Sequence, residues 1–195
     1  MDWLKTISAL GSIMSSMIVT GSEGETIEPD KAFAEWLEYT KGLRNECNYL
    51  FLIGNGASSS MASHFATDIT KNGGIKTHVF TDSSLLTAVG NDYCFEELYV
   101  KPLQWYAKSG DILVAISSSG NSANIVQGCK YARSIGMKIV TLSAMNSDNR
   151  LRSSGNLNFY ITAKTYGHAA SVHAIILHHW MDILEECNKN GQVRS

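Results

Sequence analysis

No block or stripe of basic residues runs through this sequence. Lys and Arg are scattered and the formal net charge is -2, so the chain lacks the charge pattern suited to a polyanionic backbone, and nucleic acid is not an expected ligand. Paired cysteines are missing too. Cys47, Cys94, Cys129 and Cys187 stand far apart without metal-ligand spacing, and 195 residues can bury a sizeable core without disulfides. All four are expected as idle or buried thiols. No unbroken apolar run is long enough to cross a bilayer, and no repeat or low-complexity tract is present. The apolar opening from Met1 to Thr20 lacks the positive leader of a signal peptide. Asp2 precedes Lys5 there, and Ser8, Ser12, Ser15 and Ser16 interrupt it. The expectation is a soluble, cytoplasmic, single-domain protein with no membrane partner.

What the sequence does hold falls into two parts. Trp3, Ile7, Leu10, Met14 and Met17 recur at spacings of four and three, along one seam of a helix. A second helix is expected over residues 28–47, with Pro29 in its first turn and Phe33, Trp36, Leu37 and Leu43 on its apolar face. Residues 21–26 read as the loop between them. Residues 1–47 are thus expected to serve packing or oligomerisation, the Met- and Ile-rich seam suiting a second subunit. From residue 48 to about 190, short apolar runs at 49–53, 77–80, 112–116, 138–142 and 157–161 alternate with helix-like segments. Continuous hydrophobicity of that kind suits parallel strands covered on both faces, so a doubly wound, five-stranded parallel α/β sheet is expected.

In such a sheet, ligands gather at the carboxyl ends of the strands where strand order reverses, which draws attention to the loops after the first and third runs. The first reads Gly54-Asn55-Gly56-Ala57-Ser58-Ser59-Ser60 and the other Ser117-Ser118-Ser119-Gly120-Asn121-Ser122, each entering a helix. A small, hydroxyl-rich turn at a helix start offers backbone N–H groups, serine donors and the positive helix end. Together these hold a phosphate without Lys or Arg. A plain serine N-cap is the simpler account of one hydroxyl but leaves several unexplained. A dinucleotide fingerprint on Gly54 and Gly56, with Asp82 as the ribose acid, meets Ser59 where a third glycine belongs and does not account for the second serine loop.

His64 and Asp68 follow four residues apart, hence on one helix face. They could share a metal ion, and the carboxylate could take a proton beside a carbonyl, although a solvated helix face is the commoner use of such a pair. The last helix, expected over residues 168–188, carries His168, His173, His178 and His179. At about 100° per residue, His168, Ser171 and His178 share a broad face, while His173 and His179 point elsewhere and read as satisfied or surface histidines.

With these pieces in place, residues 49–186 resemble the sugar isomerase (SIS) phosphoheptose isomerases. Gly54-Asn55-Gly56-Ala57-Ser58, the His64 position, Thr87-Ala88-Val89-Gly90-Asn91-Asp92 and Ile116-Ser117-Ser118-Ser119-Gly120-Asn121-Ser122 match that family's motifs in order and spacing. The resemblance implies a flavodoxin-like SIS domain and conversion of sedoheptulose 7-phosphate into glycero-manno-heptose 7-phosphate through an enediol, for bacterial surface polysaccharide such as lipopolysaccharide or capsule. It further implies a homotetramer holding zinc between subunits. By position, Asn55, Gly56, Ala57 and Ser58 would line the sugar, Asn91 and Asp92 would contact its hydroxyls, and Ser117, Ser118, Ser119 and Ser122 would hold the phosphate. His64, Asp68 and His178 would be metal ligands, and Asp68 and His178 would move the protons.

Two departures from the family stand at the chemical end of this set. Its glutamate is Asp68 here, shorter by one methylene, and its glutamine ligand aligns with Ala170, which has no donor atom; His168 is the nearest substitute. The binding end is intact. A non-catalytic sugar-phosphate binder or regulator, and an isomerase of another phosphosugar, are the alternatives.

Overall fold

The computed structural model describes residues 2–45 and 47–192. The chain opens with α1 (Trp3–Ser15), a hairpin of β1 (Ile18–Thr20) and β2 (Thr26–Ile27), and α2 (Pro29–Asn45). Then follow β3 (Leu50–Gly54), α3 (Ala57–Lys71), β4 (Thr77–Val79), α4 (Ser83–Asp92), α5 (Val100–Tyr106), β5 (Ile112–Ser117), α6 (Ala123–Ser134), β6 (Lys138–Ala144), β7 (Leu157–Ile161) and α7 (Tyr166–Gln192).

All five expected strands form, and they pair in parallel in the order β4-β3-β5-β6-β7. Every residue of β3, β5 and β7 is buried, as continuous apolar runs covered on both sides require. Alternation along each strand divides the core into two layers. Leu50, Leu52, Ile112, Val114 and Ile116 face α2, α3 and α7, while Phe51, Ile53, Leu113 and Ala115 face α4, α5 and α6.

The sheet is larger than the five runs implied. β1 pairs antiparallel with β7, and β2 with β1, giving seven strands and a mixed sheet. The residue spacing predicts a helix end and a loop there. α1 stops at Ser15, and Ile18, Val19 and Thr20 find partners in Tyr160, Phe159 and Asn158. The Asn158 side chain donates to the carbonyls of Thr20 and Gly21 and secures that edge. The N-terminal residues therefore share the main core, and Trp36 of α2 stacks on Trp180 of α7 with ring centroids 4.3 Å apart. α1 itself buries no residue completely. Leu10 and Ile13 lean on the core, whereas Trp3 is 72% exposed and Leu4 and Ile7 are exposed beside it. Among the described residues no helix is long and apolar enough to cross a membrane.

Candidate functional site

Strand order reverses between β3 and β5, the one connecting towards β4 and the other towards β6. These two strands are neighbours in parallel register, Gly54 opposite Ile116, so the loops leaving them emerge side by side at one rim.

The first loop is shaped by glycine. A Cβ on Gly54 would lie 2.7 Å from the Ser58 backbone, so only glycine lets α3 rise so close to its strand. Gly56 adopts φ 54°, in the left-handed region that favours glycine. The second loop folds on itself through Gly120, whose N–H donates to the Ser117 carbonyl and also approaches Ser117 Oγ at 3.2 Å. Gly120 has φ 64°, with Asn149 occupying the space of its missing side chain. The backbone of Leu151 and Arg150 clasps the loop from outside, donating to the Gly120 carbonyl and to Asn121 Oδ1 respectively.

Between the loops lies a cavity of about 380 Å³ lined by Asn55, Gly56, Ala57, Ser58, Ile116, Ser117, Ser118, Ser119, Ser122, Tyr166 and Ala170. Among the described residues no charged side chain lines it. The starts of α3 and α6 both open onto it. Neither carries an acidic residue in its first turn, and neither N-cap residue, Gly56 or Ser122, makes a side-chain capping bond. Both helices thus present their positive ends to the cavity, an arrangement that favours an anion.

An amide pair joins the first loop to the start of α6. Asn55 Nδ2 donates to Asn124 Oδ1 and Asn124 Nδ2 donates to Asn55 Oδ1, both at 2.9 Å. The Tyr99 hydroxyl donates to the Gly54 carbonyl and lies 3.4 Å from Asn55 Oδ1. Burial pushes Tyr99 up to about 12, so it stays a donor at neutral pH. Asn124, Tyr99 and the cavity-lining Tyr166 were not singled out from sequence. The available signal for Asn124 was an asparagine in the first turn of a helix, where that residue type is ordinarily used to bond nearby backbone.

The remaining expected residues stand apart from this cavity. His64 and Asp68 do share a face of α3, His64 Nε2 lying 3.4 Å from Asp68 Oδ2, with side chains 57% and 30% exposed. His178 of α7 joins them, its ring 5.9 Å from that of His64 and 4.7 Å from that of Phe65, centroid to centroid. The three form one surface patch without lining the cavity. As placed they do not fit a metal ion, since no three His, Cys, Asp or Glu residues among those described converge as a ligand group. Ala170 contributes no donor, and His168 is half-buried at the start of α7, its N–H bonded to Thr165 Oγ1. Asn91 and Asp92 end α4, exposed and bonded to each other at 2.9 Å.

Of the two histidines set aside, His179 is exposed and its ring packs edge-on against Phe33. His173 is neither satisfied nor at the surface. It is fully buried and neither ring nitrogen has a hydrogen-bond partner. Burial pushes its pKa down to about 4, although the nearby Ser143 backbone opposes part of that shift.

The SIS domain profile matches residues 41–144. A phosphoheptose isomerase of Helicobacter hepaticus is 32% identical over 149 residues, covering 73% of this chain and 76% of that protein. The solved phosphoheptose isomerase of Neisseria gonorrhoeae superposes with a TM-score of 0.79 at 24% identity, over 93% of this chain and 94% of the other. The Vibrio vulnificus NanR protein complexed with ManNAc-6P superposes with a TM-score of 0.65 at 19% identity, over 94% of this chain and 61% of that one. The last two show the shared fold. By its profile match and its sequence relatives, this chain belongs to the SIS domain family, in the group of the phosphoheptose isomerases.

Proposed function

We propose that this protein is a sugar-phosphate aldose–ketose isomerase that converts sedoheptulose 7-phosphate into glycero-manno-heptose 7-phosphate. One observation carries the reading: two hydroxyl-rich, helix-opening loops meet at the strand-order reversal around an uncharged cavity. The phosphate is held by Ser117, Ser118, Ser119 and Ser122 with the backbone N–H groups at the start of α6, and Asn55, Gly56, Ala57 and Ser58 position the sugar beside it. Both α3 and α7 begin at this cavity and run to the polar patch. At 1.5 Å per residue, His64 lies about 10 Å along α3 from Ala57, and His178 about 12 Å along α7 from Ala170. A phosphorylated sugar anchored at the loops directs its far end towards that patch.

The chemistry asked of the patch is an enediol isomerisation. One group removes the proton alpha to the carbonyl, and a proton is returned to the neighbouring carbon while the hydroxyl and carbonyl oxygens exchange roles. Asp68 and His178 are the groups assigned to these transfers. The expected zinc ion finds no ready ligand set among the described residues of one chain, so no step is routed through it; assays with and without added zinc decide its part. Exposed Trp3, Leu4 and Ile7 on α1 support a homotetramer, which light scattering tests. A cytoplasmic location and Asn91–Asp92 contacts to sugar hydroxyls complete the proposal.

The purified protein is expected to convert sedoheptulose 7-phosphate to the aldose, and His178→Ala to abolish turnover. The second reading, a binder without turnover, is favoured by Ala170 at the cavity wall and by the distance of the patch from it. It predicts thermal stabilisation by the sugar phosphate with no product.

A further inference from the structure

Asn55 stands at the cavity with both ends of its side-chain amide engaged. Its oxygen accepts from Asn124 Nδ2 at 2.9 Å, and the other side of that oxygen faces the Tyr99 hydroxyl at 3.4 Å. One of its two N–H bonds goes to Asn124 Oδ1. The orientation of Asn124 is fixed in turn, because its Oδ1 also accepts from the Ile125 backbone N–H at 3.0 Å. Flipping Asn124 would set its NH2 against that N–H, and flipping Asn55 would set oxygen against oxygen. Asn124 is fully buried and Tyr99 nearly so, which leaves solvent little opportunity to replace these bonds. Asn55 is half-buried at the cavity wall, and its second N–H is left for a ligand oxygen.

We infer that Asn124 is a positioning residue that fixes the orientation of the Asn55 amide, so that this side of the cavity presents a preset N–H donor to a ligand oxygen. The inference rests on the isomerase reading for the identity of the ligand. The lock itself rests only on the hydrogen bonds just described.

The test is a double-mutant cycle in the full chain with sedoheptulose 7-phosphate. Asn124→Ala is expected to lower kcat/KM about tenfold, and Asn55→Ala by at least as much. The double variant is expected to match Asn55→Ala alone, because Asn124 acts through Asn55. A loss from Asn124→Ala that persists undiminished in the Asn55→Ala background, or no loss in the unmodified background, would overturn the inference. Where Asn124→Ala does not fold, the two side-chain amide protons of Asn55 are read by NMR in the unmodified protein. One is expected to be slow to exchange before ligand is added and unmoved afterwards, with only the other shifting. Equal shifts of both protons, or rapid exchange of both without ligand, overturn the lock. Should the unmodified protein neither bind nor convert the sugar phosphate, the isomerase reading fails by itself, and the exchange of these protons without ligand still decides the lock.

Discussion

The rim cavity and the histidine patch are built in opposite ways. At the cavity, glycine turns, the Asn55–Asn124 amide pair and the clasp from Arg150 and Leu151 fix the backbone before any ligand arrives. At the patch, three side chains stand on helices α3 and α7, largely exposed and linked by one 3.4 Å contact and a ring contact. The cavity's main-chain groups and hydroxyls, to which the proposal assigns the anion, all come from loops and helix starts at one sheet edge. The proton transfers proposed for the patch rest on side chains alone, with His64 and His178 exposed and Asp68 half-buried. The comparison predicts that the two regions separate cleanly under mutation.

The largest expected effect is at the patch. His178→Ala should reduce kcat by about 10² to 10⁴-fold, the usual worth of a positioned acid or base. Its melting temperature should be nearly unchanged because the side chain is exposed. Affinity for the sugar phosphate, followed by calorimetry, should stay within a few-fold. A parallel collapse of affinity would break the distinction between the two regions.

His173 lies on α7 between them, three residues beyond the cavity-lining Ala170 and five before His178. Its pKa is pushed down to about 4 from an ordinary 6.5, so the unfolded chain takes up this proton first on acidification. The stability at stake is intact above about pH 6.5 and is lost as pH falls towards 4, amounting to about 3 kcal/mol across that window. His173→Leu is expected to flatten this part of the stability profile in urea titrations while remaining near neutral at pH 7.5, because both ring nitrogens were unpartnered. An unchanged acid slope would show that other groups set it. If the flattening leaves kcat untouched as well, the helix carrying both regions acts only as their support.

Much of this arrangement could be read from the sequence, for physical reasons that vary along the chain. β3, β5 and β7 announced themselves because strands covered on both faces must be apolar throughout. The hairpin at Ile18–Thr20 and Thr26–Ile27 did not, since its pairing with β7 lies about 140 residues away and its apolar residues continue the helical spacing of α1. The serine loops were legible from composition, whereas Asn124 and Tyr99 were not. Their role arises only when strand order brings α5 and α6 beside the first loop, and no local pattern records that proximity. The burial of His173 was missed for a similar reason: the face of a helix is readable from spacing, but which neighbour covers it is not.

At the cavity, Gly54→Ala tests how far the site depends on backbone shape. The added Cβ meets Ser58 backbone at 2.7 Å, so α3 must shift. A loss of about 1–3 kcal/mol in denaturant unfolding is expected, along with loss of the sugar-phosphate-induced rise in melting temperature. Full stability with ligand binding retained would mean that the first loop is more pliable than its hydrogen bonds indicate.

The smallest effect is the most diagnostic of how the phosphate is held. An N-cap serine replaced by alanine ordinarily costs about 1 kcal/mol of stability, because its hydroxyl satisfies a backbone N–H. Ser122 occupies the N-cap of α6 without making that bond, its Oγ lying instead 3.4 Å from Ser117 Oγ at the cavity. Ser122→Ala should therefore leave unfolding free energy almost unchanged and weaken sugar-phosphate binding by about 2- to 10-fold, the worth of one hydrogen bond. Inorganic phosphate should lose affinity by the same factor, since the hydroxyl is assigned to the anion and not to the sugar. Stability lost with affinity kept would return Ser122 to the ordinary role of a helix cap, and the second loop would then hold its anion through the main chain alone.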